Sequence, residues 1–390
     1  MPKQWKQFSG NWTLTQQAQA LAAGTWTGIP QDELYAWGDG QRGQLGQNDR
    51  VNQSSPVQIA GTNWNDIDTG EYFSIATTSD GKLWLWGDNG YGQLGLNDAH
   101  TLDRSSPVQV GALTTWLTVA ASNYNSYAIK TDGTLWAWGS AVQGRVGDNA
   151  EIKRSSPVQL GSETWSGLGA GNYHVLAIRS NGTLWAWGRN DAGQLGVNDR
   201  VVYSSPVQVG ALTTWDKVRG GRRFTLAVKT DGTLWAWGEN NLKGQCGDGT
   251  KVSRSSPVQV GALTNWATPA CGRESSYCVK TDNTLWSWGD GASYGHLGHG
   301  NTTNYSSPVQ VGGLTNWSQP GASQYGAVCV KTDGTIWSWG GGSSGQLGHN
   351  NTTNYDSPVQ IGSSTGWTKV SKNCGLQGFF LAINQSRTGM

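Results

Sequence analysis

Residues 184–196 read Leu-Trp-Ala-Trp-Gly-Arg-Asn-Asp-Ala-Gly-Gln-Leu-Gly, and Ser205-Pro206-Val207-Gln208 follows. Leu184–Trp187 is apolar and aromatic, and period two puts Trp185 and Trp187 on one face of a strand. Asn181-Gly182 just before it is a two-residue hairpin signal, because a type I′ turn needs positive φ at both positions. Upstream, Val175–Ile178 has the length and residue types of a strand, and Trp165–Leu168 begins another that ends at Gly169-Ala170-Gly171. Downstream, proline at the start of Ser205–Val209 suits an outer edge strand, which needs one fewer amide donor. The stretch 165–211 therefore reads as four antiparallel strands.

That unit recurs. Ser-Pro-Val-Gln returns with its proline at Pro56, Pro107, Pro157, Pro206, Pro257, Pro308 and Pro358. A Trp-Gly pair ends a strand-like run at Gly38, Gly87, Gly139, Gly188, Gly238, Gly289 and Gly340, and a Gly-Gln-Leu-Gly-like tetrad follows each. The Asn181-Gly182 turn is matched by Asp80-Gly81, Asp132-Gly133, Asp231-Gly232 and Asp333-Gly334, with Asp282-Asn283 in the remaining unit. Seven four-stranded units of about 50 residues predict an all-β chain, a seven-bladed β-propeller.

The phase of the repeat predicts how the ring closes. Leu34–Gly38 lacks the usual strand pair before it, whereas Trp367–Val370 and Phe379–Ile383 lack a Trp-Gly motif after them. Together they make one blade, shared by the N- and C-terminal segments, and this leaves no open edge between blades. The propeller spans 31–385, between an N-terminal arm (1–30) and a tail (386–390).

Composition agrees with this reading. The 390 residues hold 57 Gly and 23 Trp but only 5 Phe, and 14% are charged, against roughly 25% in an average domain. Twenty of the indoles fall inside the repeat, as expected of core residues and not of a sugar-stacking array. The net charge of +1 does not advertise nucleic-acid binding, which needs clustered positive charge. No apolar run approaches the ~20 residues that span a bilayer, and Met1–Gln7 has no apolar signal segment. The expected setting is cytoplasmic, or a virion if the chain is phage-encoded.

The pattern Leu184-Trp185-Ala-Trp187-Gly188-x-Asn190-x-x-Gly193-Gln194-Leu195-Gly196 with its following Ser-Pro-Val resembles the RCC1 (regulator of chromosome condensation) repeat family. The resemblance implies the same split-blade propeller. Kelch repeats share the period but carry a paired-glycine signature missing here. RCC1-like proteins include guanine-nucleotide exchange factors, whose activity resides in face loops and an inserted wedge. The regular spacing of these units leaves no room for such a wedge, so exchange is the less favoured reading.

Chemistry-bearing residues fit structural roles. Cys278 and Cys329 occupy the place of Ala128, Ala177 and Ala227; Cys271 aligns with Ala121 and Ala170; Cys246 replaces the tetrad Leu. An odd count of five, with Cys374, argues against a disulfide framework. His296 stands in a tetrad, and His299 and His349 follow equivalent tetrads, as loop polar residues. The Asn/Asp pairs after the tetrads (Asn97-Asp98, Asp148-Asn149, Asn198-Asp199) read as side-chain-capped turns. No catalytic constellation stands out, and no cofactor or metal site is expected: the chain reads as a non-enzymatic binding or structural module.

A scaffold repeats, and a binding site breaks the repeat. The turn between first and second strands varies most, through Tyr72, Tyr124, Tyr173-His174, Arg222-Arg223, Arg273 and Tyr325. Equivalent turns ring one face, and Tyr offers contact area at low entropy cost, so this face is the expected partner-binding surface. The arm carries Trp5, Phe8, Trp12 and Trp26, with a short helix expected over 15–23, and is expected to anchor the propeller in a larger assembly. Near-identical units and Asn/Thr-rich loops resemble prokaryotic and bacteriophage RCC1-like proteins. The expected role is then a capsid decoration, fibre or tail component meeting a protein or a host-surface ligand. The alternative is a bacterial scaffold or inhibitor propeller.

Overall fold

The computed structural model describes residues 29–98, 102–240, 242–372 and 378–388. The arm residues Trp5, Phe8, Trp12 and Trp26, the expected helix over 15–23, His100 and Cys374 lie outside them.

Seven four-stranded antiparallel sheets form the ring. In the third continuous blade the strands are Trp165–Ala170 (inner), His174–Arg179, Leu184–Gly188 and Tyr203–Gln208 (outer). Five other blades repeat this order, starting at Trp64, Trp116, Trp215, Trp266 and Trp317. The closing blade runs from inner Trp367–Val370 through Phe379–Thr388 and Ile29–Gly38 to outer Gln53–Ile59. Its two middle strands pair from Ile29↔Thr388 to Gly38↔Phe379. Both chain ends therefore complete one blade, as the repeat phase requires.

The proline lies inside the outer strand, at the fourth position of Tyr203–Gln208, and not at its start. The register jumps there: Ala186 faces Val207 and Gly188 faces Tyr203. This bulge lets Pro206 sit where no ladder amide is needed.

Two structural ends follow from strand direction. At one, here the tetrad end, lie the first-to-second turns and the long loops carrying the Gly-Gln-Leu-Gly tetrads. At the other lie the Asp-Gly hairpins and the links between blades.

The tetrad joins each blade to the next. Trp187 Nε1 donates to Arg145 O at 3.1 Å, Trp237 to Gln194 O at 2.9 Å and Trp288 to Gln245 O at 2.9 Å. The tetrad's second glycine permits this approach. A Cβ on Gly196 would lie 2.6 Å from the Trp237 Nε1, and φ is +78°. The Asn beyond the tetrad takes positive φ (Asn198, 66°) and its amide bonds Ser255 O on the next outer strand at 2.7 Å. The following Asp closes the expected turn, as Asp199 Oδ1 accepts from Val201 N at 3.0 Å.

In five blades the inner-strand Trp meets both members of the Trp-x-Trp pair edge-on, as Trp215 does with Trp235 (6.2 Å) and Trp237 (5.9 Å); Trp165 so meets Trp185, and in the closing blade Trp367 meets Tyr35 and Trp37. The second Trp of each pair is buried and the first half-buried. The first is covered outside by a cation: Lys229 Nζ sits 3.6 Å from the Trp235 ring centre, and Lys130, Arg179, Lys280 and Lys331 repeat this. Cys246, Cys271, Cys278 and Cys329 are free and buried, the first where the other tetrads carry Leu or Val and the rest at positions that are Ala in other blades. Burial raises all four thiol pKa values above the usual range, so they are poor nucleophiles.

Candidate protein interface

The sequence-predicted face is assembled at the tetrad end. Tyr72, Tyr124, Tyr173, Arg222, Arg223, Arg273 and Tyr325 all lie there and are half-buried. Their turns are stitched around the channel mouth by backbone bonds: Glu71 N to Asn123 O (3.2 Å), Asn123 N to Asn172 O (3.3 Å) and Asn172 N to Gly221 O (3.2 Å).

His174 does not belong to this surface. It is fully buried at the start of its strand, in the place held by Phe73 and Phe224 in other blades. Its Nε2 meets Thr225 Oγ1 at 3.0 Å, and burial pushes its pKa down to about 3. The turn ends one residue earlier than the sequence suggests, so His174 opens the strand and points into the blade.

Of the remaining residues, Tyr124, Tyr173 and Arg223 belong to two connected networks. In the first, Tyr91 packs against Tyr124 with its ring tilted 39° (4.7 Å between rings), and the Arg145 guanidinium lies 5.8 Å from Tyr124 and 5.4 Å from Tyr173. Arg189 approaches Tyr173 at 5.3 Å. In the second, Arg189 and Arg223 share Asp191 at 2.6 Å each, and Arg223 also reaches Glu239 at 3.0 Å. Burial would raise the Asp191 pKa, but the two guanidiniums hold it below the usual carboxylate range. Arg222 pairs with Glu274 at 3.2 Å. On the opposite side of the mouth Tyr325 meets Tyr294 edge-on at 5.3 Å.

Sequence reading missed Tyr91, Arg145, Arg189 and Asp191, because these come from the tetrad loops and not from the turns. The available signal was the departure of Arg145 from tetrad glutamine. These aromatic rings and paired charges are held by their neighbours before any partner arrives, the kind of preorganised patch that anchors protein interfaces.

The channel beneath is also polar. Lys372 on the closing blade bonds Asp66 on the first, and Asp66 Oδ2 accepts from Thr118 Oγ1 (2.6 Å) and Val119 N (2.9 Å) on the second. Among the described residues no group of three His, Cys, Asp or Glu side chains could hold a metal ion. No helix among them is long and apolar enough to cross a membrane.

The profile of the regulator of chromosome condensation (RCC1) repeat matches residues 31–77, 80–129, 181–228, 231–279, 282–330 and 333–376. The chain belongs to this family. Among solved structures it is similar to Prp20p from Saccharomyces cerevisiae, at 20% identity, covering 93% of each chain with a TM-score of 0.81. That structure is described together with its binding properties to Gsp1p and histones. Prp20 in a crystal with Kap60 is similar at 20% identity and TM-score 0.79, over 99% of this chain and 96% of that one. Human WBSCR16 is similar at 19% identity and TM-score 0.80, over 91% of this chain and 99% of that one. At these identities the likeness shows the fold. The E3 ubiquitin-protein ligase HERC2 of Homo sapiens is 29% identical over 109 residues, 25% of this chain. The chain spans only 2% of that relative's length.

Proposed function

We propose that this propeller is a non-enzymatic module that binds a protein partner through its tetrad end. The observation that carries this reading is the concentration of departures from the repeat at that end. Tyr91, Tyr124, Tyr173, Arg189 and Arg223 form a continuous, prearranged aromatic and charged surface across several blades. Tyr and Arg are the residue types that anchor protein interfaces. Protein binding by Prp20 is an analogy in the same direction.

The relatives and similar structures named above do not support the expected placement in a virion, which forms no part of the proposal. A guanine-nucleotide exchange role is compatible with the same fold, and a nucleotide-release assay with a small GTPase separates it from plain binding.

The test is site-specific photo-crosslinking of the full chain in extract of its source cells. A crosslinker at Tyr173 or Tyr325 should capture one and the same protein, while one at Leu212 on the opposite end should not. The triple substitution Tyr173→Ala, Arg222→Ser and Arg223→Ser should abolish capture at Tyr325. Equal capture from both ends, or capture unaffected by the triple substitution, overturns the proposal.

A further inference from the structure

Arg145 is a cation without a carboxylate. The tetrad's second residue is Gln44, Gln93, Gln194, Gln245 and Gln346 in five blades, His296 in one and Arg145 in the second continuous blade. Elsewhere the residue after Trp-Gly is often an acid that serves this position. Gln93 Nε2 donates to Asp88 at 2.5 Å, and His296 Nε2 lies 4.0 Å from Asp290. In the Arg145 blade that residue is Ser140. The one tetrad with a permanent positive charge has lost its local acid.

Arg145 is only 4% exposed, and no ion pair to it occurs among the described residues. Its Nε donates to Val142 O at 2.8 Å, but its Nη1 is buried without a hydrogen-bond partner. Glu71 feels its charge but makes no ion pair with it, burial raises the Glu71 pKa, and Glu71 Oε2 is likewise buried without a hydrogen-bond partner. Two further buried amides go unpaired in the adjoining turns. Asn123 has neither Nδ2 nor Oδ1 bonded, and Asn172 Nδ2 is free. A buried charge without a counter-ion is costly, and besides the Nε bond to Val142 the fold holds this one under two phenol rings, a weaker hold than an ion pair.

We propose that the notch between Tyr124 and Tyr173 receives a carboxylate side chain of the protein partner, which pairs with Arg145. One phenol ring swings aside, and the incoming Asp or Glu supplies the charge that Ser140 does not. Tyr91 and Arg189 flank the entrance, so an acidic residue in an exposed segment of the partner fits it. This inference deepens the proposed function and rests on the tetrad end being the contact surface.

The probe is a capped hexaglutamate peptide, titrated into the full chain by calorimetry, with capped hexaglutamine and inorganic phosphate as controls. The acidic peptide should bind, and hexaglutamine should not. Arg145→Gln restores the tetrad glutamine of five other blades and should fold. It should weaken binding roughly 10- to 100-fold, the scale of a charged hydrogen bond. Ser140→Asp, which keeps Arg145 but supplies an internal carboxylate, should weaken it similarly. Binding of hexaglutamate unchanged in either variant, or no binding at all, overturns the inference, as does phosphate binding as tightly as the peptide, which would mark a small-anion site. If crosslinking at Tyr173 persists in Arg145→Gln while the peptide result fails, only this inference falls and the contact surface stands.

Discussion

The indole Nε1–H of Trp37 donates to the backbone carbonyl of Gln346 at 2.9 Å, joining residues 309 positions apart in the chain. It is the same bond that Trp187 makes with Arg145 and Trp237 with Gln194. The seam where the chain ends meet is therefore built as every other blade boundary is. Trp37→Phe removes the donor and leaves a buried carbonyl unpaired. We expect a loss of about 1–3 kcal/mol, and a similar loss for Trp187→Phe, measured by urea unfolding.

Gly196 and Gly210 separate steric from conformational cost. Both have positive φ, +78° and +60°, but a Cβ on Gly196 would strike the Trp237 indole whereas one on Gly210 meets nothing within 4 Å. Gly210→Ala should cost only the backbone strain, about 1–2 kcal/mol. Gly196→Ala should cost about 1–3 kcal/mol more, from overpacking. Thermal unfolding of the two variants checks the difference.

Lys82 marks a position that can be improved. In five blades a Thr after the hairpin accepts from the first Trp of the pair, as Thr183 does from Trp185 at 3.0 Å and Thr233 from Trp235 at 2.9 Å. In the first blade Lys82 takes that place and Trp84 Nε1 is buried without a partner. Lys82→Thr should stabilise by about 1 kcal/mol. The Lys82–Asp80 pair that is lost is solvent-exposed, and such pairs contribute little. A lower denaturation midpoint for the variant would refute this.

His174 gives stability a pH dependence of known sign. Its folded pKa, about 3, lies below the roughly 6.5 of an unfolded imidazole. The unfolded chain therefore binds the proton first, and the contribution of this residue is complete above pH ~6.5 and lost as pH falls toward 3. His174→Phe copies the residue of three other blades, Phe73, Phe224 and Phe379. Between pH ~6 and ~4 the wild type should lose up to about 1.4 kcal/mol per pH unit relative to the variant. Parallel stability curves would contradict the burial of a neutral ring.

Asp66 acts in the same direction at lower pH. Burial would raise its pKa, but the Lys372 charge and the bonds from Lys372, Thr118 and Val119 outweigh this and hold it below the usual carboxylate range. Its stabilisation is present above that range and is lost on acidification through the lowered folded value. Lys372→Met should raise the Asp66 pKa, read by NMR titration of its carboxyl carbon.

The candidate surface is only partly legible in the chain. Tyr124, Tyr173 and Arg223 stand out because their turn is the one place where the units disagree most. His174 stands in the same turn, yet only burial distinguishes a residue that ends a turn from one that begins a strand. Arg145 and Ser140 are each visible as departures from the repeat, but reading the units turn by turn gives no reason to connect them. Their significance as an unmet charge emerges once Tyr124 and, from the next blade, Tyr173 are seen to cover the guanidinium.

Seven blades, the four strands in each, the indole core and the blade shared by both chain ends can all be read from the repeat. These follow from local periodicity and from the phase of a repeat, which need no coordinates. The folded ring was needed to show which indole bonds which tetrad carbonyl, which turn residues reach the surface, and that Arg145 lies without an ion pair between two tyrosines. Those outcomes depend on contacts between neighbouring blades, where residues from successive units meet and no pattern within one unit records the meeting.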